Sequence, residues 1–141
     1  MSIIILPFKK EEIRTDGVFS LEEFREWVLA SGEDFLHNMT NPNNGDILIF
    51  AWKESPSNWI LVGDAIVKEN HKTGKKNCSC EDAEKYYKRH ILTGGVRLYP
   101  KSVHSDDAPI RVFTPSTPID KDGYLEIISK SVSHWVNEKG V

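Results

Sequence analysis

Two tryptophans with a short polar segment between them are the residues in this sequence best suited to binding chemistry. Trp52 ends one apolar run and Trp59 starts the next, and the segment between them includes Ser55, Ser57 and Asn58. Large π-surfaces beside small hydrogen-bonding groups are typical of a site for a flat polar ligand. Stacking on such rings is worth about 1–3 kcal/mol per nucleobase. An alternative stays open, because aromatic residues at strand ends often cover the end of a barrel.

The sequence alone does not determine whether the two rings face one pocket. Trp52 and Trp59 are seven positions apart, with a turn between them. A turn resets the register that assigns each side chain to one face of a sheet.

The elements around these residues begin with a β-hairpin. The apolar runs 46–52 and 59–67 flank a short polar loop, which predicts two strands joined by a turn. Before it, residues 2–6 predict a strand stopped by Pro7. Ser20 and Glu23 form a capping box that starts a helix, which ends at Ser31-Gly32 and contains Trp27 as a core residue. Residues 33–39 are weakly helical in pattern.

The second half of the chain is predicted to contain shorter elements separated by loops. Residues 69–77 predict a lysine-rich loop, 80–92 a helix stopped by Gly94-Gly95, and 96–99 a strand ended by Pro100. A loop over 102–107, a strand over 110–113 and a C-terminal helix over 123–136 follow. We expect one α+β domain over residues 1–141, with a mainly antiparallel sheet curled into a partial β-barrel and flanked by helices. Residues 1–40 form its N-terminal strand and helix extension.

Charge is unevenly distributed along the chain. Residues 1–67 carry a net charge of −6, residues 68–101 carry +5 and residues 102–141 carry −2. The basic segment follows the hairpin directly and indicates a polyanionic partner, although a solvated lysine-rich surface explains it equally well. The candidate phosphate contacts are Lys72, Lys75, Lys76, Lys88 and Arg89.

Catalytic and metal-binding templates are missing from the sequence. It contains no GxSxG, P-loop, HExxH or GxGxxG motif. Cys78-Ser-Cys80 lies between His71 and His90, but its spacing is not that of a zinc knuckle and a second cysteine pair is missing. We therefore predict free thiols in a reducing compartment, no metal and no cofactor. The absence of a targeting signal or membrane-length apolar run predicts a cytoplasmic protein with no membrane partner.

The hairpin resembles the PUA-like superfamily, especially its EVE and YTH branches. The shared pattern is Gly-Asp, a hydrophobic strand ending in an aromatic residue, a polar loop, and a strand containing Val-Gly-x-Ala, which here spans Gly45 to Trp52 and Trp59 to Val67. The run 95–100 and the residues Pro118, Tyr124, Ile127 and Ile128 resemble later parts of such domains. The similarity covers roughly residues 40–130. The N-terminal strand and acidic helix depart from the usual EVE opening.

The resemblance implies a noncatalytic module that binds DNA or RNA and holds a flipped, methylated base in an aromatic cage. Trp52 and Trp59 match the cage-wall region, and Ser55, Ser57 and Asn58 match the loop near the pocket. Asp64 is expected to accept a hydrogen bond from an exocyclic amine if it faces that pocket, and Tyr99 is a further ligand-binding candidate. Such domains also occur as target readers in modification-dependent restriction proteins, so other domains or subunits are expected partners.

Two alternatives remain at this point. One is an enzyme on the same fold that processes nucleic acid through acidic residues such as Asp46 or Asp64. The other is a protein-interaction module in which exposed aromatic side chains are hot spots for a partner chain.

Overall fold

The computed structural model of the chain describes residues 1–9, 18, 20–37, 41–72, 89–107 and 118–138. These residues form six strands, two α-helices and one 3₁₀ turn. In chain order they are β1 (Ile3–Lys9), α1 (Leu21–Ser31), β2 (Asp34–His37), β3 (Ile47–Ser55), β4 (Asn58–Lys72), β5 (Arg89–His104), the 3₁₀ turn (Ser105–Asp107), β6 (Pro118–Ile119) and α2 (Lys121–Glu138).

All six strands belong to one mixed sheet with the order β2-β5-β4-β3-β1-β6. The β1–β3 pair is parallel and the other four pairs are antiparallel. The hairpin predicted from the two apolar runs is confirmed as β3 and β4, but both strands are longer than predicted. Ser55 pairs with Asn58, so the connection is a two-residue turn of Pro56 and Ser57.

The sheet is strongly curled. Strands β1 and β2 are four positions apart in the sheet order, a separation of about 19 Å in a flat sheet. The rings of Phe8 on β1 and Phe35 on β2 nevertheless have centroids 6.0 Å apart. Phe35 also lies 5.5 Å from Phe50 on β3, three positions away. The sheet therefore bends around these side chains. The predicted α+β class and curled sheet are confirmed, and the curl is consistent with a partial barrel.

Each face of the sheet has its own hydrophobic core. The concave side, called the inner face below, carries a cluster that includes Leu6, Phe50 and Val62 and packs against α1 through Phe24 and Val28. The other side, called the outer face, carries Ile5, Ile49, Leu61 and Tyr99 and packs against α2 through Ile127. Successive residues of a strand point to opposite faces, so nearly continuous apolar runs such as that of β3 supply both cores.

The two helices follow the predicted signals. The Ser20 hydroxyl accepts a hydrogen bond from the backbone N–H of Glu23 at 3.2 Å, and Gly32 caps the C-terminus of α1. The prediction of a C-terminal helix is also confirmed, with bounds slightly wider than expected. Neither helix within the described ranges is long and apolar enough to cross a membrane.

The weakly helical pattern over 33–39 and the described end of the helix predicted over 80–92 are strands in the structure. Residues 34–37 form β2 and residues 89–92 belong to β5, and these two segments pair with each other. Phe35 and Ile91 are buried on the inner face, and each belongs to a strand whose side chains alternate between the two faces. The apolar residues of these segments also fit helical spacing, which is why the sequence predicted helices there. The remainder of the predicted helix over 80–92 and the predicted strand over 110–113 lie outside the described residues.

Proline and glycine did not stop the strands where expected. β1 continues through Pro7. The Ser2 carbonyl accepts a hydrogen bond from the Ile47 N–H, and the backbone groups of successive strand residues point alternately towards and away from β3. The backbone of Pro7 therefore points away from β3, where a missing N–H breaks no β1–β3 hydrogen bond.

β5 continues through Gly94, Gly95 and Pro100. The β4–β5 register shifts between Thr93 and Val96, and again between Leu98 and Val103, so all three residues lie in irregular parts of the ladder. Irregular pairing removes the need for a ladder hydrogen bond at these positions. Residues 69–72 of the predicted loop over 69–77 belong to β4, and residues 102–104 of the predicted loop over 102–107 belong to β5.

Candidate functional site

Six aromatic side chains gather on the inner face of the sheet. Their ring centroids form a continuous chain of contacts between 5.0 and 6.0 Å. β1, β2 and β3 supply four of the rings and α1 supplies two, so the curl of the sheet and the packing of α1 both create the cluster. We call this set the aromatic cluster; its members are Phe8, Phe24, Trp27, Phe35, Phe50 and Trp52.

Trp27 is the member of the aromatic cluster that reaches solvent. It is half-buried, whereas the other five are buried. Its ring stacks on Phe24 at 6.0 Å with an interplanar angle of 17° and meets Phe8 edge-on at 5.1 Å. Helical spacing correctly indicates a core-facing position but does not show that the residue remains partly exposed.

Trp52 and Trp59 lie on opposite faces of the sheet. Trp52 pairs with Ile60 and is 3% exposed among the inner-face rings, where it lies 5.0 Å from Phe24. Trp59 pairs with Lys53 and is 1% exposed in the outer-face core. The question left open by the sequence is thus decided, because the two rings are separated by the sheet and share no pocket.

A one-residue bulge is responsible for this separation. Ser55 pairs with Asn58 but the next pair is Lys53 with Trp59, so Glu54 is an extra residue on β3. Continuous pairing from the turn would place Glu54 opposite Trp59 and both tryptophans on one face. The sequence does contain a signal for the bulge. Pro56 cannot adopt positive φ, so it excludes the type I′ and II′ turns, whose twist matches that of two regular strands. A bulge provides that twist.

The polar residues of the hairpin stabilise its tip. The Trp59 backbone N–H donates to the Ser105 hydroxyl at 3.2 Å, and that hydroxyl donates to the Ser57 carbonyl at 3.3 Å. The Asn58 amide donates to Glu54 at 3.1 Å, and Ser55 is the last pairing residue of β3. These contacts dock the hairpin on the 3₁₀ turn. A role of Ser55, Ser57 and Asn58 in ligand binding stays a prediction.

Asp64 and Tyr99, two of the predicted ligand-binding residues, meet on the outer face. Asp64 Oδ2 accepts hydrogen bonds from the Tyr99 hydroxyl at 2.9 Å, the Tyr124 hydroxyl at 2.8 Å and Arg97 Nη2 at 2.9 Å. The same Arg97 nitrogen donates to the Tyr124 oxygen at 2.8 Å. Asp64 therefore lies on the outer face, which is the face of Trp59 and not of Trp52, and its predicted contact with a base stays a prediction.

Burial of the two tyrosines, and the contact of all three partners with Asp64, shift the pKa values of these partners upward. Burial, followed by the Asp64 charge and its hydrogen bond, raises the pKa of the Tyr99 hydroxyl far above its usual value. Burial and the hydrogen bond to Asp64 raise the pKa of Tyr124 to about 12. The hydrogen bond to Asp64 raises the pKa of Arg97 further. Both tyrosines thus remain hydrogen-bond donors throughout the physiological pH range.

The other predicted polar residues have simpler placements. Asp46, an alternative catalytic candidate, is buried and its two carboxylate oxygens accept from the backbone N–H groups of Ser2 and Asn43, each at 2.8 Å. Lys72 and Arg89 are the last pair of the β4–β5 ladder. Lys75, Lys76 and Lys88 lie outside the described residues, as do Cys78 and Cys80.

Comparison with known proteins provides a fold-level likeness. No family model matches the chain, and no curated protein matches it. The crystal structure of protein Atu2648 from Agrobacterium tumefaciens is similar, with a TM-score of 0.54 over 93% of each chain and 14% sequence identity. At this identity the likeness concerns the fold alone.

Proposed function

We propose that this protein is a noncatalytic nucleic-acid reader that binds a flipped, methylated base at the solvent-facing side of its aromatic cluster. The observation that carries the proposal is the half-buried ring of Trp27 at the edge of six aromatic side chains on the concave face. The resemblance of the hairpin to the EVE and YTH branches of the PUA-like superfamily supports the same function.

In this proposal Trp27 is the stacking surface. Its ring is held from behind by Phe24 and from the side by Phe8, so little side-chain entropy is lost when a base stacks on it. Trp52 lies behind Phe24 and supports the surface rather than touching the base. Trp59 belongs to the outer-face core and takes no part. The proposed stacking residue is therefore on α1, and not at the hairpin tip where the sequence predicted the aromatic cage.

Selectivity would come from shape and desolvation of the base. A methyl group that is removed from water against aromatic carbon gains about 0.8 kcal/mol. The charge around Trp27 acts against indiscriminate binding, because α1 carries Glu22, Glu23 and Glu26. Nonspecific nucleic-acid binding depends on phosphate contacts with cations. We therefore expect the base, more than the backbone, to determine affinity for this face.

A binding panel with Trp27 variants tests the proposal. Matched single-stranded DNA and RNA oligonucleotides, each with and without one N6-methyladenine or 5-methylcytosine, are titrated with protein and followed by fluorescence anisotropy at low salt. We expect a preference for one methylated probe. Trp27→Ala should weaken that complex roughly 5- to 150-fold, the equivalent of about 1–3 kcal/mol. Trp27→Phe, which keeps a π-surface, should retain most of the affinity.

Leu29→Ala is the matched control. Leu29 lies two residues from Trp27 on α1 and is 58% exposed, so its replacement should change neither folding nor binding. Undiminished binding by Trp27→Ala, with a melting temperature close to wild type, would show that the aromatic cluster is not the site. Cleavage or conversion of a probe would indicate the enzyme alternative. Absence of binding to every probe would favour the protein-interaction alternative.

A further inference from the structure

Two histidines lie directly opposite each other where the β4–β5 pair leaves the described part of the chain. His71 on β4 pairs with His90 on β5. Ile91 is buried on the inner face, so its neighbour His90 points to the outer face, and the directly paired His71 points the same way. Their side chains are 57% and 39% exposed, respectively. Two accessible imidazoles thus lie at directly paired positions of the β4–β5 ladder.

Each histidine has a carboxylate at one ring nitrogen. Nε2 of His90 contacts Oδ1 of Asp34 on β2, and Nε2 of His71 lies 3.5 Å from Oε2 of Glu69 on β4. Asp34 and Glu69 both pair with Leu92, which lies two residues after His90 on β5. The two carboxylates therefore lie in the row of the sheet next to the histidine pair, one on β2 and one on β4. A carboxylate at one nitrogen orients an imidazole and raises the basicity of the other nitrogen.

This combination is suited to a metal ion. Side chains directly opposite each other on antiparallel strands have Cβ atoms about 4.5–5.5 Å apart. Imidazole nitrogens bind Zn²⁺ at about 2.0–2.1 Å, so two rings on such positions can reach one ion. Imidazole also suits Ni²⁺ and Cu²⁺. Within the described residues no group of three or more His, Cys, Asp or Glu side chains could hold a metal ion, so the two imidazoles would be the protein ligands that this part of the chain supplies.

We propose that His71 and His90 bind one first-row transition-metal ion of the zinc, nickel and copper class, with the carboxylates of Asp34 and Glu69 beside their other ring nitrogens. The ion would join β4 to β5 at the end of their ladder. This site is on the outer face and does not depend on the function proposed for the aromatic cluster.

Isothermal titration with Zn²⁺ and with Ni²⁺ tests the site on the full chain after removal of any polyhistidine tag. We expect one ion per chain. His71→Ala and His90→Ala should each weaken binding by more than about tenfold, and Asp34→Asn or Glu69→Gln by about tenfold. His104→Ala is the control, because His104 is an exposed histidine on the same strand and pairs with Ile60. It should bind as wild type does.

Thermal unfolding gives a second readout that does not require a tight complex. Excess Zn²⁺ should raise the melting temperature of the wild-type protein and of His104→Ala, but not that of His90→Ala, because an ion stabilises the fold only where it binds. No metal binding by the wild type, or equal loss in His104→Ala, overturns the proposal. So does binding that survives His71→Ala and His90→Ala but is lost in a Cys78→Ser, Cys80→Ser double variant.

Discussion

At the scale of single residues, the carboxylate of Asp64 joins three elements. It lies on β4, it is 6% exposed, and it accepts from two side chains of β5 and from Tyr124 of α2. A buried carboxylate is costly unless charged donors or several hydrogen bonds stabilise it. Arg97 and the two tyrosine hydroxyls meet that need, and Tyr124 thereby fixes the start of α2 to the outer face.

This arrangement predicts how stability depends on alkaline pH. The pKa of Tyr124 is raised to about 12 in the folded chain, above its value of about 10 in an unfolded one. Between these values the unfolded state loses the proton first, so the free energy of unfolding should fall as pH rises from about 10 to about 12. Urea unfolding at several pH values measures this decline. It should be shallower in Tyr124→Phe than in wild type, and equal slopes would contradict the role assigned to Tyr124.

At the scale of elements, the contact between β4 and β5 depends on close approach of their backbones at one glycine. A Cβ placed on Gly63 would lie 2.6 Å from the Arg97 carbonyl oxygen and 3.1 Å from the Leu98 Cα. Both are backbone atoms of the neighbouring strand, so a side chain there forces the strands apart. Gly94 lies on the other strand of the same pair and has far more room, because a Cβ placed there would lie 3.6 Å from Lys68 Cε, an ordinary van der Waals contact.

Paired alanine substitutions distinguish these two glycines. Gly63→Ala should lower the free energy of unfolding by about 1–3 kcal/mol because of overpacking. Gly94→Ala should change it by less than about 0.5 kcal/mol, as for a surface position without special backbone geometry. Chemical denaturation of both variants measures the difference. A large loss in Gly94→Ala together with none in Gly63→Ala would contradict the register of β4 and β5 described above.

At the scale of the whole molecule, one sheet separates two cores that carry different chemistry. The inner face holds the aromatic cluster against α1, and the outer face holds the Asp64 contacts against α2. The curl brings β1 and β2 together on the inner face only. Consequently the proposed base site and the proposed metal site lie on opposite faces, and a ligand bound at one makes no direct contact with the other.

A double-mutant cycle tests whether the two faces are independent. Trp52 contacts Phe24 at 5.0 Å across the inner face, whereas the sheet separates it from Trp59. Leucine replacements of Trp52 and Phe24 should show a coupling energy of about 0.5–1.5 kcal/mol, as expected for an aromatic pair. Replacements of Trp52 and Trp59 should be additive within about 0.5 kcal/mol. Strong coupling between the two tryptophans would instead place their rings on one face.

The sequence by itself determined the elements whose signals are local. The capping box at Ser20, the two apolar runs of the hairpin and the helical spacing before Val136 each predict an element that the structure contains. It also predicted a curled α+β sheet. The three local signals depend on residues within a few positions of each other, where propensity and hydrogen bonding are decided by near neighbours.

Only the tertiary structure decided which residues meet. β2 and the start of β5 became strands because each provides the other with a pairing partner, although their local spacing resembles a helix. The bulge at Glu54 assigned Trp52 and Trp59 to opposite faces. The packing of α1 on the curled sheet assembled the aromatic cluster from four elements, with Trp27 as its partly exposed member. Strand register and sheet curvature are set by contacts between distant segments, so a shift of one residue reverses every side chain that follows.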